Sequence, residues 1–313
     1  MLNISDTFEA QCSWNSLSYL SSGDAMSYYF GIAILASTMT VVTIVVNCIF
    51  VATMLSQKLT QNSISNKLLL VLSSVDLLQG ISIWPVAVAI AVMYSRFNTN
   101  CFLIDFNYFL GYHLVGLTIW TIFLITLEQY IAILHPYFYL SNVTFCRLLY
   151  PVVVIKVLLM ITDIVGKIKL NKDWNNYYNA VVLAMWVPIM VAFVYMHAKI
   201  ILCASRVAAK ITNTNKGEGQ KINARAKAAR SGLIVLLATL VCYCPSIFYT
   251  IYKAKVGKPT PFITTFVQYP VELLVLFSSV VDPTVYYLRL KSLRRATKSM
   301  FASLCKSQSV GYE

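Results

Sequence analysis

The stretch Cys101–Leu134 reads CFLIDFNYFLGYHLVGLTIWTIFLITLEQYIAIL, with Asp105 and Glu128 its only carboxylates and no Lys or Arg. A helix needs about 20 mostly apolar residues to cross the hydrocarbon core of a bilayer, and this run exceeds that. It is too long and too continuously apolar for a barrel strand, which alternates over about ten residues. A helix also satisfies its own backbone polar groups, as lipid demands. The spacing therefore predicts a membrane-spanning helix.

Six more such runs lie around it, at Phe30–Leu55, Lys67–Tyr94, Leu148–Gly166, Asn176–Ser205, Ala224–Tyr252 and Phe262–Tyr287. Hydrophobic residues make up 58% of the chain and charged residues 12%, against about 25% charged in a soluble domain. The expected fold is an all-α membrane protein, a seven-transmembrane helix bundle over residues 30–287. An extracellular segment, 1–29, precedes it; an amphipathic membrane-surface helix, 288–304, and a cytoplasmic tail, 305–313, follow. The first 29 residues hold Asp6, Glu9 and Asp24 but no Lys or Arg. The basic region of a cleavable signal is thus missing, and insertion is expected to rely on the first span.

A net charge of +13 invites a nucleic-acid reading, but the basic residues cluster by loop. Lys58, Lys67, Arg147, the eight from Lys199 to Arg230 and the six from Arg289 to Lys306 fall on one side, seventeen in all. Arg96, Lys167, Lys169, Lys172, Lys253, Lys255 and Lys258 fall on the other, and Lys156 lies within a span. Positive-inside bias then places the N-terminus outside. Nucleic acid is not expected as a partner; membrane lipid is. In 288–304, Leu290, Leu293, Thr297, Met300, Phe301 and Leu304 keep helical spacing opposite a basic face, which suits the inner leaflet. Cys305 follows as a palmitoylation candidate, with a free thiol as the alternative. Asn3-Ile4-Ser5 is an outward glycosylation sequon; Asn142-Val143-Thr144 lies on the cytosolic side and should be unused.

Ionisable groups within a span are costly unless they face the bundle interior. Asp76 and Asp282, with Asn47 and Thr118, form the expected polar core. Two nearby carboxylates require a proton or a cation between them, and sodium near Asp76 is the expected ion, interhelical hydrogen bonding the simpler role. Lys156 and Asp163, seven residues apart, share a helix face and read as structural. Glu272 and Asp105 lie toward the outer side. Pro85, Pro188, Pro245 and Pro283 interrupt four spans, which suits helices that shift between packings.

Six motifs in order resemble the fingerprint of rhodopsin-like (class A) G-protein-coupled receptors, from about Asn47 to Cys305. They are Asn47; Leu72-Ser73-Ser74-Val75-Asp76; Glu128-Gln129-Tyr130 with the following Ile131 to Pro136; Pro188; Cys242-Tyr243-Cys244-Pro245; and Asp282-Pro283-Thr284-Val285-Tyr286. The resemblance implies a cell-surface receptor in the plasma membrane. An extracellular ligand would shift helix populations and engage a heterotrimeric G protein, with arrestin a further partner. Glu128, Gln129, Tyr130, Pro245 and Tyr286 would be its transducer and switch residues, and Tyr243 a switch at the base of the ligand site.

The departures carry information too. Gln129 stands where the family has arginine and cannot form a guanidinium fork; that implies weakened coupling or a shifted resting balance. Tyr243 replaces the family's tryptophan. The family ties the top of the third span to the second outer loop, yet residues 166–178 contain no cysteine. The resemblance then leads to an expected Cys12–Cys101 bond, with two free thiols as the alternative.

The family's amine receptors carry an aspartate where this chain has Gly111, and its opsins carry a lysine in the seventh span, which has none here. Both ligand classes are disfavoured on that resemblance. Tyr108, Gly111, Tyr112 and Val115 share one face of the third span. With Trp84, Tyr243, Phe248, Tyr249, Gln268, Tyr269 and Glu272 they would line an aromatic pocket for a small molecule or short peptide; packing and interfacial anchoring are the simpler roles for any one of these aromatics. Two other classes compete: an ion-coupled transporter using the buried charges, and a receptor-like protein that does not signal. The absence of a duplicated set of spans counts against the first. An enzyme is not expected, because His113, His135 and His197 lie at different depths and no nucleophile–base pair is evident.

Overall fold

The computed structural model describes residues 22–61, 63–96, 98, 100–170, 174–211, 234, 237–253, 255–256 and 260–309. Asn3 and Cys12 lie outside the described residues, as does the side chain of Cys305. The described residues form helices and short connections, with no strand among them. The long helices are α1 (Ser22–Ser56), α2 (Ile64–Ser95), α3 (Cys101–Leu134), α5 (Phe145–Leu170) and α6 (Trp174–Ile211), with the short α4 (Pro136–Asn142) between α3 and α5. Residues 237–253 form α7. A turn, Pro261–Ile263, and a π-helical segment, Thr264–Gln268, lead into α8 (Tyr269–Arg289), and α9 (Lys291–Ser309) follows. Six of the described helices are long and apolar enough to cross a membrane; α7 holds the described part of the expected sixth span. The fold is an all-α, seven-transmembrane one.

Local chemistry sets the boundaries. Ser63, Asn100 and Thr144 each accept a hydrogen bond from a backbone N–H three residues on, at 3.3, 3.1 and 3.4 Å, and so act as N-caps for α2, α3 and α5. Helix α1 ends with Leu59 N–H on the Met54 carbonyl and Lys58 N–H on that of Leu55, both 3.2 Å, while Lys58 takes φ 50°. That is the Schellman arrangement, with lysine where glycine is usual. Its apolar partners, Met54 and Leu59, join one cluster. Prolines 85, 151, 188 and 283 sit inside α2, α5, α6 and α8, and Pro245 lies in α7.

The chain divides into two compact units. The first comprises Met1–Cys48, Ser73–Thr118 and Cys242–Val281. Within it Tyr29, Ile90, Ala91 and Tyr94 are buried together, with Tyr28, Tyr269 and Leu273 packed against them. Here α1 and α2 approach closely at Gly80. A Cβ on that residue would lie 3.0 Å from Thr43 Cγ2 and 3.1 Å from Ile44 Cγ1, the use membrane helices make of small residues.

The second unit comprises Ile49–Leu72, Ile119–Val241 and Asp282–Glu313. Phe50, Leu68, Leu72, Ile122, Ile125, Phe193, Tyr286 and Leu293 form its apolar cluster. In α9, Leu293, Ala296 and Thr297 are buried while Lys291, Arg295 and Lys298 are exposed. Thr53 of α1 meets this face, its Oγ1 3.3 Å from that of Thr297 and 3.7 Å from Met300 Sδ.

Candidate functional site

In the first unit the π-helical segment delivers Gln268 to the start of α8, one turn before Glu272. Its amide makes three hydrogen bonds. Nε2 donates to Glu272 Oε1 at 2.7 Å and to the Tyr108 hydroxyl at 2.8 Å, and Oε1 accepts from the Tyr249 hydroxyl at 2.6 Å. One side chain thus ties α3, α7 and α8 together. Such a group belongs in apolar surroundings only when it is fully hydrogen-bonded, and Gln268 is 8% exposed.

Tyr269 donates to the Ala87 carbonyl at 3.2 Å and packs among Tyr29 and Tyr94, ring centroids 6.3 and 6.5 Å away. Val115 is buried. Gly111 borders open space, since a Cβ there would meet no atom beyond its own stretch of helix within 4 Å. Two other expected lining residues, Tyr112 and Phe248, are 37% and 70% exposed. Tyr243 is fully buried, its hydroxyl 2.8 Å from Ser278 Oγ.

Beyond these lies a polar set in the same unit. Asn47 Nδ2 donates to the Thr43 and Ser279 carbonyls at 3.0 and 2.9 Å. Trp84 Nε1 donates to Ser279 Oγ at 3.3 Å. Gln79 Nε2 donates to Thr118 Oγ1 at 2.7 Å, and Thr118 Oγ1 donates to Asp76 Oδ1 at 3.1 Å. Asn47 Oδ1 and Gln79 Oε1 are buried acceptors with no hydrogen-bond partner among the described residues. Oxygen acceptors and a carboxylate are the donor set a hard cation takes, so the chemistry of Asp76, Thr118, Asn47 and Gln79 fits sodium. Gln79, which the sequence reading passed over, sits one turn along α2 from Asp76 on the same face. Asp282 is buried within the second unit.

The second unit holds the motif residues at the end of α3. Glu128 is 4% exposed and held by two hydroxyls: Ser65 Oγ donates to Oε2 at 2.6 Å, and the Tyr139 hydroxyl to Oε1 at 2.7 Å. Burial raises the Tyr139 phenol above its ordinary range, and its hydrogen bond to Glu128 and that residue's charge add to the effect, so it remains a donor. Neither Ser65 nor Tyr139 was singled out from sequence, because a hydroxyl at a helix end is unremarkable there. Gln129 follows in α3, half-buried, and Tyr130 packs with Ile133 and Leu134 against Ile200. Tyr286 is buried in the apolar cluster. Asp163 pairs with Lys167 at 3.6 Å. Cys101 is buried at the start of α3. No group of three or more metal-ligating side chains occurs among the described residues.

A family model described as 7 transmembrane receptor (rhodopsin family) matches residues 46–286. No curated protein matches the chain.

Proposed function

From the premise that this chain belongs to the rhodopsin family of seven-transmembrane receptors, we propose that it sits in the plasma membrane with its N-terminus outside. There it binds an extracellular small molecule or short peptide and signals to a cytosolic heterotrimeric G protein. The observation that carries this reading is the Gln268 amide, which joins Tyr108, Tyr249 and Glu272. A ligand that replaces any of these bonds changes how α7 and α3 are tied to α8, and so shifts the balance between helix arrangements. Arrestin is the second cytosolic partner. Sodium is the ion we assign to the polar set around Asp76, with Asn47 and Gln79 supplying oxygens.

The experiment is ligand-library-driven G-protein activation in cells, with Gln268→Leu matched for surface expression. Ligands that activate the native chain are expected to lose their effect on the variant. Full retention of every response would place the ligand elsewhere. A chain silent to all ligands, with counter-ion-dependent uptake in vesicles, would favour the transporter. A non-signalling receptor is the second reading, favoured by one residue: Gln129 stands at the family's arginine position.

A further inference from the structure

We propose that the ligand carries a protonated amine or quaternary ammonium, and that Glu272 is its counter-ion. The proposal rests on the Tyr108–Gln268–Glu272 network being the ligand site. A carboxylate in a membrane span is costly unless it is hydrogen-bonded or paired with a charge. Glu128 takes two hydroxyl donors, and Asp163 pairs with Lys167. Glu272 is surrounded by neutral donors: the Gln268 amide at 2.7 Å and the neighbouring Tyr108 hydroxyl. No Lys, Arg or His among the described residues forms an ion pair with it, and Lys253 acts on it only at longer range.

The surroundings suit a cation. The Tyr108 and Tyr249 hydroxyls bond the same Gln268 amide that donates to Glu272, so two phenol rings, a group that attracts ammonium at its face, lie beside the carboxylate. Gly111, one turn along α3 from Tyr108, leaves space at its own position. The carboxylate comes from α8, so the missing third-span aspartate does not rule out a cation; it moves the charge contact to another helix. An anionic ligand would meet repulsion from Glu272, and a neutral one would gain nothing from its charge.

The test uses the full-length chain in lipid nanodiscs and reads thermal stabilisation by a matched panel. The panel holds arylalkylamines, their trimethylammonium, alcohol and carboxylate counterparts, and short C-terminally amidated peptides containing Lys or Arg. Cationic members are expected to raise Tm and their alcohol and carboxylate counterparts not to. Small amines or basic peptides responding alone identifies the source of the cation. Glu272→Gln should weaken cation binding roughly 30-fold or more, and the exposed Asp105→Asn by less than about fivefold.

Because Glu272→Gln alone could act by loosening the fold, Lys253→Met provides the second arm. It leaves Glu272 in place and should keep or increase cation affinity. The proposal is overturned if no cationic member binds, or if cations bind the native chain and Glu272→Gln equally. It also fails if Lys253→Met destabilises the unliganded chain as Glu272→Gln does while neither alters binding, for the two would then form a structural pair. Binding is read without a G protein, so a cation that binds through Glu272 without signalling keeps this inference and removes the signalling one. Signalling by neutral ligands alone, lost in Gln268→Leu, does the reverse.

Discussion

Glu128 shows how one missing charge is accommodated. With glutamine next to it at position 129, its carboxylate takes hydroxyl donors from Ser65 and Tyr139. Hydrogen bonds to a charged group contribute about 1.5–3 kcal/mol each. Ser65→Ala and Tyr139→Phe should therefore each lower stability by about 1–3 kcal/mol, and the double variant should show non-additive loss, read by thermal denaturation in nanodiscs. The Tyr139 phenol also gives a pH dependence. Its proton is held more tightly in the folded chain than in the unfolded one, so its stabilising effect is complete below the ordinary tyrosine value of about 10 and is lost as pH rises above it. Stability should fall on going from about pH 9 to pH 11, and Tyr139→Phe should reduce that fall; an unchanged slope would exclude the effect. Asp76 and Asn47 were legible in sequence because a polar group in an apolar run stands out. Ser65 and Tyr139 were not, because each becomes meaningful only through a partner 63 or 11 residues away.

Helix contacts carry two further predictions. At Gly80 the surface of α2 lies so close to Thr43 and Ile44 of α1 that added side-chain volume must displace them. Gly80→Val should cost about 1–3 kcal/mol, seen as a lowered Tm, and an unchanged Tm would mean that this helix pair yields freely. The end of α1 offers the opposite change. Lys58 holds a left-handed conformation, φ 50°, that costs a residue with a Cβ roughly 1–2 kcal/mol, so Lys58→Gly should raise Tm. The spans were readable from hydropathy, and the surface helix was expected from residue 288, close to its observed start at Lys291; the short α4 was not. Leu290 alone separates α8 from α9, and its apolar side chain continues the pattern of both. The π-helical turn at Thr264–Gln268 likewise leaves no mark in composition, although it precedes the residue that joins three helices.

For the chain as a whole, the seventeen basic residues on one side against seven on the other fix an expected orientation. Glycan mapping checks it: Asn3→Gln should remove a glycosidase-sensitive mass shift, and Asn142→Gln should leave mass unchanged. A shift lost only with Asn142 would invert the topology. The family and the seven-span fold were legible because motifs at matching helix depths occur in order, and the match over residues 46–286 covers all six of them. The pocket was legible only as a set of candidates. Tyr108 and Gln268 are 160 residues apart, and hydropathy does not tell an aromatic that faces the site from one that is exposed, as Phe248 is. The most direct test of the receptor reading is G-protein activation, basal and library-driven, by the native chain and by Gln129→Arg at equal surface expression. The account predicts that the native chain signals, since Glu128 is already satisfied without an arginine. A native chain silent to every ligand, whether or not Gln129→Arg restores output, would contradict it.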